Sequence, residues 1–403
     1  MPIDGPRQVL MLGTFGLRPK ATLRSRALAM ARALPSSDWA FHLITTPWDY
    51  SHDAGRCWVE DDVSIVNTKS TSPLVFPFAA AEMIRRSKQI QPSLIHLFKP
   101  KGFGDVAARW LRRSTPVVVD MDDWEGNGGW NEIGGYSQIQ RRIFDWQERT
   151  WPRRASALTV ASRELEQRAL ALGAEANRVH YVPNGLTDAR FALLSKPSDK
   201  AIQVRQQHNL GDGPTILLYT RFIEFEPTSV VRVLSEVRKS FPTTLLLVAG
   251  ASADGAAERT VRNAAQQAGL SDAIRWHGWA DPDEIPDLAS ASSVAIHPFD
   301  DNLVNRSKCS VKLLELMATS IPVVTTNVGE NASFIQNGVS GILAPPGEST
   351  PIARAVVRLL TDRSVGFELG RSGQQRVRLH FLWDQLAVRV TNAYHAALDQ
   401  CQT

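Results

Sequence analysis

Cysteine is scarce in this chain: 403 residues hold three, Cys57, Cys309 and Cys401, with no CxxC pair. An odd, widely spaced set supports neither a disulfide framework nor a zinc site, and it fits a reducing cytoplasm. Long hydrophobic runs are missing too. No window approaches the roughly 18 uninterrupted apolar residues of a membrane span. The opening MPIDGPRQVLMLGTFG lacks the basic-then-apolar order of a secretion signal. Nor does one sign of charge dominate: 45 Lys+Arg against 41 Asp+Glu leaves +4. No nucleic-acid partner is expected from so small an excess. It is uneven, however, with 27 basic and 21 acidic residues in 1–200 (+6) and 18 against 20 in the remainder (−2). A mildly basic first half suits solvated arginine faces, or anionic ligands and lipid headgroups.

What is present is a globular composition, 43% apolar and 21% charged, with length enough for two domains and a sizeable core. Apolar runs and helical spacings alternate. QVLMLGTFG reads as a strand breaking at glycine and ATLRSRALAMARAL as the helix after it. FHLITTPWD, SLIHLF, PVVVDMDD, ALTVAS and VHYVPNG are further strands, with helices between them. A second series runs through TILLYTRF, TTLLLVAG, AIRWHGW, SVAIHPF, IPVVTT and SGILAPPG. Strands alternating with helices predict an α/β fold of parallel sheets covered on both faces. The expected division is a first domain over 1–186, a polar linker over 187–213, a second domain over 214–379, and a C-terminal helix in 380–403 returning toward the first. A cleft between two doubly wound halves is the expected ligand site.

Ser310 to Val324 reads SVKLLELMATSIPVV, an amphipathic helix passing into a β-branched strand. Ser310 suits an N-cap, and a helix N-terminus suits phosphate. Lys312 and Glu315 share a helix face, so an i,i+3 ion pair is one reading of the carboxylate. The other is a ribose-binding group accepting hydrogen bonds from a cis diol.

The longer run SVKLLELMATSIPVVTTNVGENASFIQNGVSGILAPPGE resembles the C-terminal signature of the retaining, nucleotide-sugar-dependent glycosyltransferases of group 1, or family 4. VLMLGTFGLRPKATLRSRALAMARAL, VHYVPNGL, LLYTRF, LLLVAG and IRWHGWADPDEIPDLASASSVAIHPF are similar to other parts of that family in order. The resemblance implies the GT-B architecture, two Rossmann-like doubly wound parallel-sheet domains facing a central cleft. It implies a hexosyltransferase of polysaccharide biosynthesis that moves a sugar from a nucleoside diphosphate to a glycan or lipid-linked acceptor. The nucleotide sugar would be a substrate, with no cofactor and no metal. The enzyme would be cytoplasmic, with a peripheral contact at the inner membrane face allowed.

By position, Glu315 resembles the second glutamate of the family's Glu, seven residues, Glu motif, which binds the ribose hydroxyls. Ser307 stands where the first glutamate would contact the donor sugar, so that acid is absent; Asp300, Asp301 or Asn302 is the nearest substitute. Arg221 matches the pyrophosphate arginine, while Glu226 stands where a lysine is expected. Lys308, Val311 and Lys312 complete the expected donor site, with Arg221, Lys312 and Glu315 as its catalytic set. Gly13, Thr14 and Gly16 would bring backbone to the donor, with Arg18 and Lys20 beyond. Asp122, Asp123 and Trp124 are the expected acceptor or sugar contacts, Asp122 lying where many relatives carry histidine. Ser320 takes a helix-ending position where glycine is usual.

RRIFDWQERTWPRR interleaves arginines with Phe144, Trp146 and Trp151. It reads either as a core-facing aromatic stripe or as a basic surface resting on a membrane. An epimerase of the same shape and a non-catalytic nucleotide-sugar-binding protein are the alternative functions.

Overall fold

The computed structural model describes residues 5–18, 22–69 and 76–400. The chain divides into two compact units. The first comprises 1–185, 307–309 and 383–403, and the second 186–306 and 310–382.

The first unit is built on β1 (Arg7–Gly13), β2 (Trp39–Thr45), β3 (Cys57–Glu60), β4 (Val63–Asn67), β5 (Leu94–Phe98), β6 (Val117–Met121), β7 (Ala157–Val160) and β8 (Val179–Tyr181). They form one sheet in the order β3-β4-β2-β1-β5-β6-β7-β8. All pairings are parallel except β3 with β4. Strands such as Leu94–Phe98 and Val117–Met121 are buried at every residue. That is why they read as mainly apolar runs, interrupted only by His96 and Asp120. The β3–β4 hairpin is absent from the sequence expectation. Its turn residues Asp61 and Asp62 both have positive φ, 48° and 63°, the requirement of a type I′ turn met here without the usual glycine.

The helix Trp383–Asp399 packs in this unit, its Trp383, Leu386, Val390 and Tyr394 joining the same core as Val9, Met11 and Trp39. Buried His96 on β5 meets the Tyr394 hydroxyl at 2.9 Å through Nδ1 and Thr159 at 3.2 Å through Nε2. Burial pushes its imidazole down to about 4, so the ring is neutral.

The second unit carries β9 (Thr215–Tyr219), β10 (Leu245–Ala249), β11 (Ile274–Gly278), β12 (Val294–His297), β13 (Val323–Thr326) and β14 (Ile342–Ala344). The parallel sheet runs β11-β10-β9-β12-β13-β14. Numbered within the unit, that is the dinucleotide-fold order 3-2-1-4-5-6. Its strand order reverses between β9 and β12, and in the first unit the reversal lies between β1 and β5. Crevices outside the carboxyl ends of such strand pairs are where doubly wound folds bind ligands.

The segment expected as a linker is structured. Within 187–213 lie the helices Asp188–Leu194, capped by the Thr187 side chain, and Ala201–Gln207. Arg205 ties the second of these to the carbonyls of Gly211, Gly213 and Ala291. Its polar composition reflects short helices lying on a surface, not a loose connection. Ser320 takes the left-handed conformation at φ 60°, as its glycine-like position suggested. A Cβ on Gly370 would come within 1.9 Å of the Ser320 carbonyl oxygen, so the helix Arg363–His380 approaches that turn through glycine.

Candidate functional site

At the carboxyl ends of β9 and β12, the helix Val311–Ala318 begins with Ser310, whose hydroxyl accepts from the Leu313 N–H at 3.4 Å. His297, at the end of β12, fixes that hydroxyl at 3.0 Å. Free N–H groups and the positive end of the helix dipole gather at this terminus. Glu315 lies one turn in and is only 8% exposed. Its Oε1 accepts from Arg190 Nε at 2.9 Å and is 2.7 Å from Arg190 Nη2. The carboxylate thus pairs with Arg190, and the Lys312–Glu315 reading gives way to another arrangement. The Lys312 ammonium instead lies 3.6 Å over the Tyr219 ring. Burial, together with the nearby Glu315 carboxylate, pushes the Tyr219 phenol up.

Arg221 follows β9 and is exposed, leaving its guanidinium on the surface of this edge. Val311 and Lys312 are half-buried. Glu226 accepts from the Thr228 N–H at 2.9 Å and from Arg232 at 2.9 Å. Its charge is engaged at the start of the helix Ser229–Ser240. Asp301 pairs with Arg306 at 2.8 Å. Asn302 accepts from the Asn305 N–H at 3.0 Å. Ser307 is buried with an unpartnered hydroxyl, and Lys308 is half-buried; both count with the first unit.

In the first unit the expected residues gather at the carboxyl ends of β1, β5 and β6. Thr14 is not free to meet a ligand: its hydroxyl contacts the carbonyls of Phe98, Lys99 and Lys101 at 2.9–3.2 Å. The loop after β1 is therefore sewn to the loop after β5. A Cβ on Gly13 would lie 2.5 Å from Leu23 Cδ1, so the Leu23 side chain would have to shift to admit one. A Cβ on Gly16 would come within 3.0 Å of Pro47 Cβ. Trp124 is 1% exposed. Its N–H donates to the Asn127 carbonyl at 2.9 Å and Arg168 covers its ring at 4.8 Å. The structure therefore removes it as a sugar-stacking surface. Lys20 lies outside the described residues.

Around Asp122 the structure shows a buried charge cluster that the sequence did not disclose. Lys99 Nζ lies 3.1 Å from Asp122, 2.8 Å from Asp123 and 2.9 Å from Glu125. Lys101 also bonds Glu125. Burial would raise the Glu125 carboxyl, but Lys101 and Lys99 outweigh it and hold it down to about 2. Burial wins at Asp122 and pushes it up to about 7, with Asp123 and Asp120 adding to the rise. Glu148 is fully buried and neither carboxyl oxygen has a hydrogen-bond partner. Burial pushes it well above the carboxylate range, so it is held neutral. Among the described residues no group of three or more His, Cys, Asp or Glu is arranged to hold a metal ion.

A family model described as "Glycosyl transferase 4-like domain" matches residues 22–185, and one described as "Glycosyl transferases group 1" matches residues 213–362. The chain belongs to the group 1 glycosyltransferases. It is 24% identical over 267 residues to a GDP-mannose-dependent alpha-(1-6)-phosphatidylinositol monomannoside mannosyltransferase of Mycobacterium tuberculosis, 66% of each chain. It is 29% identical over 241 residues to a D-inositol 3-phosphate glycosyltransferase of Acidothermus cellulolyticus, 57% of this chain and 51% of the relative. The aligned part thus spans just under two thirds of the first relative and about half of the second. Among solved structures, sucrose-phosphate synthase from Thermosynechococcus elongatus superposes with TM-score 0.77 at 20% identity, covering 98% of this chain and 100% of that one. Anabaena HepE in complex with UDP gives 0.70 at 16% identity, covering 96% and 99%. The fold of this group 1 glycosyltransferase is GT-B. No described helix of the glycosyltransferase is long and apolar enough to cross a membrane.

Three residues of its second unit escaped sequence reading. Arg190 fell inside the supposed linker, although Thr187 three residues earlier is a capping signal that could have found the helix. Tyr219 looked like the last residue of a core strand. His297 looked like another, and only the register of β12 against the capped helix reveals its bond to Ser310.

Proposed function

We propose that the chain is a retaining glycosyltransferase that moves a sugar from a nucleoside diphosphate to an acceptor hydroxyl on a glycan or a lipid-linked glycan. The observation that carries this reading is Glu315. It is a buried carboxylate braced by Arg190 near Tyr219 and beside a Ser310-capped helix terminus, at the switch point of a dinucleotide-type sheet. A carboxylate accepts two hydrogen bonds from a ribose diol. Arg221, Lys312 and the helix N-terminus supply the positive charge that a departing diphosphate needs. The glycosidic C–O bond to phosphate breaks as the acceptor oxygen bonds to the same face of the sugar, and the released phosphate oxygen takes the acceptor proton. No side-chain base is assigned. The reading uses no metal and no cofactor, the nucleotide sugar being a substrate. The mycobacterial relative's dependence on GDP-mannose and the UDP bound by Anabaena HepE support a nucleotide-sugar donor.

A thermal-shift panel of UDP-, GDP- and ADP-sugars tests this on the wild type and on Glu315→Ala. One donor series should raise the wild-type Tm, by about 2.7 kcal/mol of stabilisation at 100 times its Kd. The variant should need at least about tenfold more donor for the same shift. If no nucleotide sugar stabilises the wild type, the donor assignment fails. Donor bound without turnover on any acceptor pool would favour the binding-protein reading, and nucleotide released without an acceptor product the epimerase.

A lipid-facing acceptor site is supported by one further observation. The helix Gln138–Thr150 carries Ile139 (72% exposed), Ile143 (45%) and Trp146 (50%) at i, i+4 and i+7. They form one apolar stripe bordered along one side by the exposed Arg142 and Arg149. Trp151 is buried, so the aromatic positions of this stretch split between the two expected readings. The reading places this stripe on an anionic lipid surface. Co-sedimentation with phosphatidylglycerol vesicles but not with phosphatidylcholine vesicles is the expected result, with Ile143→Glu losing it. Equal recovery of both proteins with both lipids would sink the idea.

A further inference from the structure

The Arg190–Glu315 pair does not have the geometry of an ion pair made only for stability. A guanidinium that saturates a carboxylate spans both oxygens with two parallel N–H bonds. Arg190 instead directs Nε and Nη2 at the same oxygen, Oε1, at 2.9 and 2.7 Å. A carboxylate has about four acceptor sites, and this pairing spends two of them on Oε1. The rest of the guanidinium is anchored elsewhere. Nη2 also donates to the Pro282 carbonyl at 2.7 Å, and Nη1 to Asp283 at 3.2 Å. The backbone from which it projects is fixed by the Thr187 cap, which accepts from the Arg190 N–H at 3.2 Å. Arg190 is thus a rigid fork held at three points, one of which is a single oxygen of Glu315.

Resting on the donor reading above, we infer that Arg190 is the positioning residue for Glu315. It locks the carboxylate through Oε1 so that Oε2 is presented to the donor ribose, and it thereby sets affinity for the diol. Without the fork, Glu315 would rotate about its side-chain bonds and would have to be ordered again at each binding event. The effect belongs to donor affinity and KM, with kcat little changed once donor saturates, because Arg190 acts through Glu315.

The test is a two-way comparison on the full chain. Kd is measured by calorimetry for the ribonucleoside diphosphate of the preferred donor and for its 2′,3′-dideoxy analogue, with wild type, Arg190→Met and Arg190→Lys. Wild type should prefer the ribonucleotide. Arg190→Met should lose roughly tenfold or more on the ribonucleotide and almost nothing on the dideoxy analogue. Arg190→Lys, which keeps the charge without the fork, should fall between. Equal losses on both nucleotides, or no loss on either, would overturn the positioning role while leaving the donor reading standing. Absence of any ribose preference in the wild type would overturn the donor reading and this inference with it. If Arg190→Met does not fold, Arg190→Lys decides the matter alone by the same selective loss.

Discussion

Arg26→Met is expected to destabilise the first unit by about 3–5 kcal/mol, the usual consequence of stranding one partner of a buried ion pair. Arg26 and Asp120 are each 1% exposed at the side chain. They meet in a two-pronged pair, Nε to Oδ2 at 2.6 Å and Nη2 to Oδ1 at 2.7 Å. Arg26 also donates to Asn184 at 2.9 Å and to the Val182 carbonyl at 3.0 Å. Burial would raise the Asp120 carboxyl, but Arg26, His96 and Thr159 outweigh it and hold it below the usual range. Methionine fills most of the arginine's volume, so the loss reports the charge and not a cavity. Calorimetry should show the transition that carries the first unit moving down by roughly 10 °C. Adding Asp120→Asn should return a good part of it, because the stranded charge is then gone. A drop below about 1 kcal/mol, or a double variant as unstable as the sum of the singles, would rule out the pair as a central tie of this unit.

That pair also marks the boundary of what the chain discloses before it is folded. The parallel sheets are legible because LIHLF, VVVDM, TILLY and LLLVA are almost wholly buried and therefore mainly apolar. Glu315 is legible because a lone carboxylate among leucines needs a reason. Arg26, Lys99, Asp120, Glu125 and Glu148 are not legible, although all are buried. Their partners lie far away in the sequence, and only the adjacency of β1, β5 and β6 brings them together. Arg190 was hidden differently. Polar residues and glycines around it read as a linker, yet the short helix Asp188–Leu194 holds the one guanidinium that meets Glu315 among the described residues. Charge partners distant in sequence are set by topology, and local pattern carries no trace of them. Trp124, an aromatic beside glycines that could stack on a sugar or pack a flap, packs its own loop. A Cβ on Gly129 would come within 2.1 Å of its carbonyl oxygen.

The buried cluster around Asp122 gives a stability that falls as pH rises, opposite in sign to the behaviour of most paired carboxylates. Asp122 stands near 3.8 when unfolded and is pushed up to about 7 by burial in the folded chain. Below about pH 4 both states hold the proton and the group contributes nothing. Between about pH 4 and 7 the unfolded chain releases the proton while the native chain keeps it. Unfolding therefore gains about 1.4 kcal/mol per pH unit, on the order of 4 kcal/mol in all by pH 7, and no more above it. Lys99 at 3.1 Å moderates the rise, and Asp120, Asp123 and Arg26 complete the charges that act on the group. Asp122→Asn keeps the shape and removes the titration. Its stability relative to wild type should climb steadily from pH 5 to pH 7.5 in parallel denaturant titrations, and the two curves should run parallel above that. His96, on which Asp122 does not act, titrates in both proteins and cancels in the difference. A difference independent of pH would mean that Asp122 is ionised in the folded chain at all these values, with Lys99 outweighing burial.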